Sequence, residues 1–147
     1  MPVNIKRAGV EDAAIIAPLF DAYRIFYGQA GDVAAAENFI KERLLSNESV
    51  IFLAFEDKEA IAFTQLYPIF TSVGMQRAWL LNDLFVYENA RGKGIAMMLL
   101  ESAKQHGRST NSKWLMLQTH HDNYIAHALY QRNGWIKEND VIYLINV

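Results

Sequence analysis

The sequence predicts a mixed α/β domain, and three observations carry that expectation. Segments with apolar residues at helical spacing are interleaved with short apolar runs rich in β-branched and aromatic residues. Their order is strand, two helices, three strands, helix, strand, helix, strand, with no repeated βαβ unit. The 147 residues, 52% of them hydrophobic, suit one core and one domain over 1–147.

Val3 to Ala8 alternates apolar and polar residues as a short strand does. From Glu11 to Tyr27 one apolar stripe runs through Ile16, Phe20, Tyr23 and Tyr27 and another through Ile15, Leu19, Ala22 and Phe26. Such a helix should be covered on most sides. Pro18 predicts a bend or break near its first turns, and Gly28 a stop. Asp32 suits the N-cap of a second helix through Phe39, Ile40 and Leu44. Val50 to Phe55 and Ala60 to Tyr67 read as strands joined by the polar loop Glu56-Asp57-Lys58-Glu59. Trp79 to Tyr87 is apolar except for Asn82-Asp83, the pattern of a central strand covered on both faces. The next helix runs to His106, with Ile95, Met98, Leu99 and Ala103 on one face and Gly107 suited to its C-terminal cap. Trp114 to Thr119 reads as a strand, Asn123 to Arg132 as a short helix ended by Asn133-Gly134, and Val141 to Asn146 as the closing strand.

Composition removes several classes of chemistry. There is no cysteine, which excludes a disulfide framework, a cysteine-based zinc site and a cysteine nucleophile. Fourteen Lys and Arg against sixteen Asp and Glu give no reason to expect nucleic acid as a partner. The first residues lack the apolar core of a secretory signal, and no apolar run has the roughly 18 residues of a membrane span. The expectation is a soluble, cytoplasmic protein that does not engage membranes.

The richest segment is the turn Arg91-Gly92-Lys93-Gly94-Ile95-Ala96, placed between a buried strand and a helix start. Glycines there permit close approach of the backbone and positive φ. The first N–H groups of the helix lack intrahelical partners and add the positive end of its dipole, so the turn can hold a pyrophosphate, with Arg91 and Lys93 adding charge. A Walker A loop is not present, because Ile95 stands where Ser or Thr is needed. A dinucleotide fingerprint fails too, because Met97 replaces the third glycine. By itself the hexapeptide is equally compatible with a tight strand-to-helix turn.

A second pattern changes that balance. Asn123-x-x-Ala126-x-x-x-Tyr130 puts three residues on one helix face, followed by Gly134-Trp135. Together, Asp83 to Ala96 and Asn123 to Trp135 resemble the two sequence hallmarks of the GCN5-related N-acetyltransferases (GNAT superfamily), with Trp135 in place of a phenylalanine. The order of elements is similar from end to end. The resemblance implies a mixed, largely antiparallel sheet flanked by helices and split near the cofactor. It implies acetyl-CoA as cosubstrate, no metal, and direct transfer of the acetyl group to a primary amine in a ternary complex.

The same resemblance gives residues their roles. Arg91 to Ala96 hold pyrophosphate, backbone groups of Leu84, Phe85 and Val86 pair with the pantetheine arm, and Asn123 and Ala126 flank it. Tyr130 protonates the leaving thiolate; periodicity alone reads it as a core aromatic. Asp83 holds the acceptor amine or takes its proton through water, the other reading being a strand-end carboxylate bonded to backbone. Leu81 to Val86 is similar to the spermidine/spermine acetyltransferase branch, but Asn82 stands where that branch has an acidic residue, which weakens a polyamine substrate. Tyr23 and Tyr27 are candidates for the acceptor pocket beside Asn82 and Asp83. The expected acceptor is a small-molecule amine; a peptide or protein amine and a catalytically silent CoA-binding module are the alternatives. A homodimer is expected, with the apolar segment from Val141 to Val147 meeting a partner.

His120-His121-Asp122 could suggest a metal, but adjacent histidines on a strand point to opposite faces, and solvated loop residues are the reading taken.

Overall fold

The computed structural model describes residues 2–147. Its strands are β1 (Val3–Arg7), β2 (Val50–Glu56), β3 (Glu59–Thr71), β4 (Gln76–Val86) and β5 (Leu115–Met116), and its α-helices are α1 (Ala13–Phe26), α2 (Val33–Leu45), α3 (Ile95–Ser109) and α4 (Tyr124–Arg132). The strands form one sheet in the order β1-β2-β3-β4-β5. The first three pairings are antiparallel and β4 pairs with β5 in parallel. This is the mixed, largely antiparallel sheet that was expected.

Two helical layers follow from the alternation of side chains across the sheet. On one face, Ile16, Leu19 and Phe20 of α1 and Ile40 of α2 pack on Ile51, Leu53 and Phe63. On the other, Leu99, Leu100 and Ala103 of α3 cover Ala62, Leu66 and Leu81. Each large apolar side chain buried this way contributes roughly 1.5–3 kcal/mol. Asp32 caps α2 as expected, its side chain accepting from the Ala35 N–H at 3.0 Å.

Several boundaries differ from expectation. Pro18 lies inside a continuous α1; the break comes earlier, as a 3-10 turn at Val10–Asp12. β3 and β4 extend past Pro68, which faces Trp79. β2 stops pairing at Leu66, so from there the outer side of β3 is an edge, where a proline without an N–H is tolerated. Gly107 is not a cap. It lies within α3, and a Cβ there would overlap the tip of the Leu115 side chain, which would have to shift to admit it.

The segment 114–119 narrows to the two paired residues of β5. The closing strand is corrected outright: residues 137–147 have no regular structure, and Ile142, the least exposed apolar residue of the tail, keeps 62% exposure. With no neighbour strand of its own chain beside it, the apolar run has nothing to pair with. Among the described residues, no helix is long and apolar enough to cross a membrane.

Candidate active site

β5 pairs with Trp79 and Leu80 only, so from Leu81 onward the β5 side of β4 has no strand beside it. In an extended strand, alternate residues present N–H and C=O to that side, and these groups are left for a ligand. The register of β4 also shifts at this point. Gln65 faces Asp83 and Leu66 faces Leu81, so Asn82 is an inserted residue, a β-bulge.

A cavity of about 590 Å³ opens at the gap. It is lined on the α1 face of the sheet by Tyr23, Phe26, Tyr27 and Phe85, and on the α3 face by Leu84, Ile95, Leu129 and Tyr130. The gap therefore joins the two faces of the sheet. Of the residues singled out in the sequence, Tyr23, Tyr27, Asn82, Leu84, Phe85, Val86, Arg91, Gly92, Gly94, Ile95, Ala96, Asn123, Ala126 and Tyr130 line this one cavity. Lys93 and Asp83 do not.

The glycine turn has the geometry an anion requires. Gly92 and Gly94 have φ of 81° and 78°, in the left-handed region that disfavours other residues. No atom lies within 4 Å of a Cβ built on either, so conformation and not space selects glycine. Gly94 is the N-cap of α3 and no side chain caps the helix, which leaves its first N–H groups at the cavity wall formed by Ile95, Ala96 and Met97. The cations are less simple than expected. Arg91 donates from Nε to the Val86 carbonyl at 3.0 Å, and its guanidinium lies 5.8 Å from the Phe26 ring centre and 5.9 Å from that of Phe85. Lys93 pairs with Glu56 at 3.5 Å.

On α4, Asn123 is the N-cap and its Oδ1 accepts from the Ala126 N–H at 3.2 Å, leaving the amide nitrogen for a ligand. Tyr130 is half-buried against Trp135, ring centres 6.3 Å apart. Burial, with a smaller effect from Tyr27, raises the Tyr130 phenol above its ordinary range, so it keeps its proton at neutral pH.

The acceptor side is organised by Asp83, which is only 3% exposed and sits on the α1 face with Gln65. Its carboxylate accepts from Gln65 Nε2 and from Asn82 Nδ2 at 3.0 Å, and Ser49 Oγ donates to Gln65 Oε1 at 2.7 Å. Burial raises the Asp83 pKa, opposed by the hydrogen bonds from Gln65 and Asn82 and by the nearby Tyr23 hydroxyl. Tyr23 is raised by burial and then by Asp83, and its hydroxyl reaches the Asn82 carbonyl at 3.4 Å. Tyr67 is pushed up to about 12 for the same two reasons. Asp83 therefore lies behind Tyr23 and not at the cavity surface.

Residues missed from the sequence include Phe26, Arg132 and Leu117 to Thr119, all on the cavity wall. Phe26 belonged to a visible helical stripe, but only its 63% exposure separates a wall residue from a core one. His120, His121 and Asp122 are exposed, as read. They sit in a turn with ring centres 4.4 Å apart, so the opposite-face argument does not apply to them.

Comparisons with known proteins bear on the family and the fold. The acetyltransferase (GNAT) family matches residues 16–135. The chain is 49% identical over 146 residues to YhfO of Bacillus subtilis (strain 168), described as an uncharacterized N-acetyltransferase, covering 99% of this chain and 98% of that protein. A crystal structure of a probable acetyltransferase superposes with a TM-score of 0.92 at 37% identity, covering 98% of this chain and 97% of the other. A predicted acetyltransferase from Clostridium acetobutylicum, solved with acetyl-CoA, shares the fold at a TM-score of 0.80 and 18% identity, over 98% and 96% of the two chains.

Proposed function

The chain belongs to the acetyltransferase (GNAT) family, and from that premise we propose that it moves an acetyl group from acetyl-CoA to the primary amine of a small molecule, by direct transfer. The observation that carries this reading is the single cavity shared by the glycine turn, the unpaired edge of β4 and Tyr130. Acetyl-CoA supplies an activated thioester. The N–H groups at the start of α3 and the left-handed turn suit its pyrophosphate. Alternate residues of the stretch from Leu84 to Val86 turn backbone groups to the unpaired side of β4, toward its amide-bearing arm, and a fixed N–H there can stabilise the oxyanion of the tetrahedral state.

Tyr130 then acts as the acid for the departing thiolate. A thiol titrates near ~8.5, so a group that holds its proton at neutral pH is required. Asp83 works through Tyr23, whose hydroxyl it polarises, and Tyr23 faces the acceptor. Among the described residues, no Asp or Glu lines the cavity. A polycationic acceptor would meet no carboxylate, while Tyr23, Phe26, Tyr27 and Phe85 offer an aromatic wall, so the reading favours a monoamine with an apolar or aromatic body over a polyamine.

The test is an acceptor screen by CoA release, spanning aromatic and aliphatic monoamines, polyamines, aminoglycosides and peptides, run on the parent and Tyr130→Phe. Turnover with a monoamine that drops on the order of a hundredfold in the variant, at unchanged acetyl-CoA affinity, is the expected result. Unchanged turnover removes Tyr130 from the chemistry, and a preference for polyamines overturns the acceptor class.

A further inference from the structure

The cavity wall carries positive charge that its own chain leaves unanswered. Arg91 and Arg132 line it, and among the described residues neither forms a salt bridge and no carboxylate joins them there.

Of the two, Arg91 is held in a definite place. Tyr87 gives its N–H to the Ile61 carbonyl of β3 at 3.0 Å, so the backbone groups of Val86, one residue back, turn to the unpaired side of β4. Arg91 reaches to that side, and its bond from Nε to the Val86 carbonyl fixes one edge of the guanidinium. Among the described residues, Nη1 and Nη2 have no hydrogen-bond partner. The N–H groups that suit a pyrophosphate belong to the start of α3, whereas this guanidinium lies against Phe26 of α1 and Phe85.

Phe85 connects that cation to the reacting end. The Tyr23 ring meets Phe85 edge-on with centres 6.1 Å apart, and the Arg91 guanidinium carbon lies 5.9 Å from the centre of the same ring. One small molecule lying along Phe85 can therefore touch both. As it enters it displaces water from the guanidinium, and a cation stripped of water without a counter-charge is costly. A carboxylate removes that cost, because its two oxygens match the two free arms of the fork.

We infer that the acceptor carries a carboxylate as well as its primary amine, as an amino acid does, and that Arg91 holds the carboxylate while the amine lies at Tyr23. Arg91 is then a specificity residue that sets the register of the amine against the thioester. The inference rests on the amine-acetylating reading given above.

Matched acceptors test it: phenylalanine, β-alanine and aminomethylbenzoate, each against its own carboxamide, with kcat/KM taken at saturating acetyl-CoA and referred to the free-amine fraction. The parent should favour the carboxylate by about tenfold or more in at least one pair. Arg91→Met should bring that ratio close to unity, and Arg91→Lys, which keeps the charge and loses the fork, should retain part of it. Arg132→Met should preserve the ratio. A loss shared by both members of a pair reports a weaker donor site, so the ratio alone bears on the acceptor. Amides used as well as acids, a ratio that survives Arg91→Met, or one that collapses only in Arg132→Met overturns the inference and leaves acetyl transfer to an amine standing. Acetyl-CoA binding without acetylation of any amine removes that reading, and the inference with it.

Discussion

Replacing Gly94 by alanine isolates the backbone term in cofactor binding. Gly94 has φ of 78° and caps α3, yet nothing lies within 4 Å of a Cβ placed there. Steric crowding by neighbours therefore contributes nothing, and the cost is that of holding a β-carbon in the left-handed region, about 1–2 kcal/mol. For a domain of this size that lowers the melting temperature by roughly 3–6 °C. The turn can avoid part of the cost by relaxing, but relaxation turns the first N–H groups of α3 away from the cavity. Acetyl-CoA affinity should then fall on the order of tenfold, equivalent to about 1.4 kcal/mol. Asparagine adopts the left-handed conformation more readily than alanine, so Gly94→Asn should recover part of both losses. Thermal unfolding by circular dichroism and calorimetric titration with acetyl-CoA measure the two quantities. An alanine variant that melts with the parent and binds acetyl-CoA as well would refute the reasoning, as would an asparagine variant worse than alanine.

Asp83 should leave a pH signature. Burial raises its folded pKa above the unfolded value of about 3.9, so the folded state binds the extra proton and stability declines as pH rises through that interval. Asp83→Asn removes this term, so the stability of the variant relative to the parent should grow from pH 4 to pH 8 in urea unfolding; a constant difference sinks the argument. Gly107→Ala sets a helix-propensity gain of about 1 kcal/mol against roughly 1–3 kcal/mol of overpacking on Leu115. It should destabilise alone and recover in the double variant with Leu115→Ala, and strict additivity in that cycle would contradict the packing role.

Much of this site was legible in the residues because its parts are local. A glycine pair before a helix and three residues on one helix face are set by spacing within a dozen positions, and the turn and α4 indeed face one cavity. What escaped depends on partners far away in the chain. Gly107 looks like a helix stop until Leu115 is seen against it, and Pro68 looks like a strand end until β2 is seen to stop at Leu66. Asp83 reads as an acceptor-facing carboxylate, but a single inserted residue decides which way it points. The apolar run at 141–147 has strand chemistry in full; whether it becomes a strand depends on a neighbour that sequence does not name.

The bulge at Asn82 acts as a shift of reading frame in the sheet. Without it, Leu81 and Asp83 would share a face, since side chains two apart on a strand do. With it, Leu81 joins the core under α3 while Asp83 joins Gln65 and Tyr23 beneath α1. The frame set at that one residue decides which of the next four side chains look toward the acceptor and which toward the cofactor. Relatives could therefore exchange acceptors by gaining or losing one residue here, altering the whole wall in a single step where point substitutions would have to act in concert.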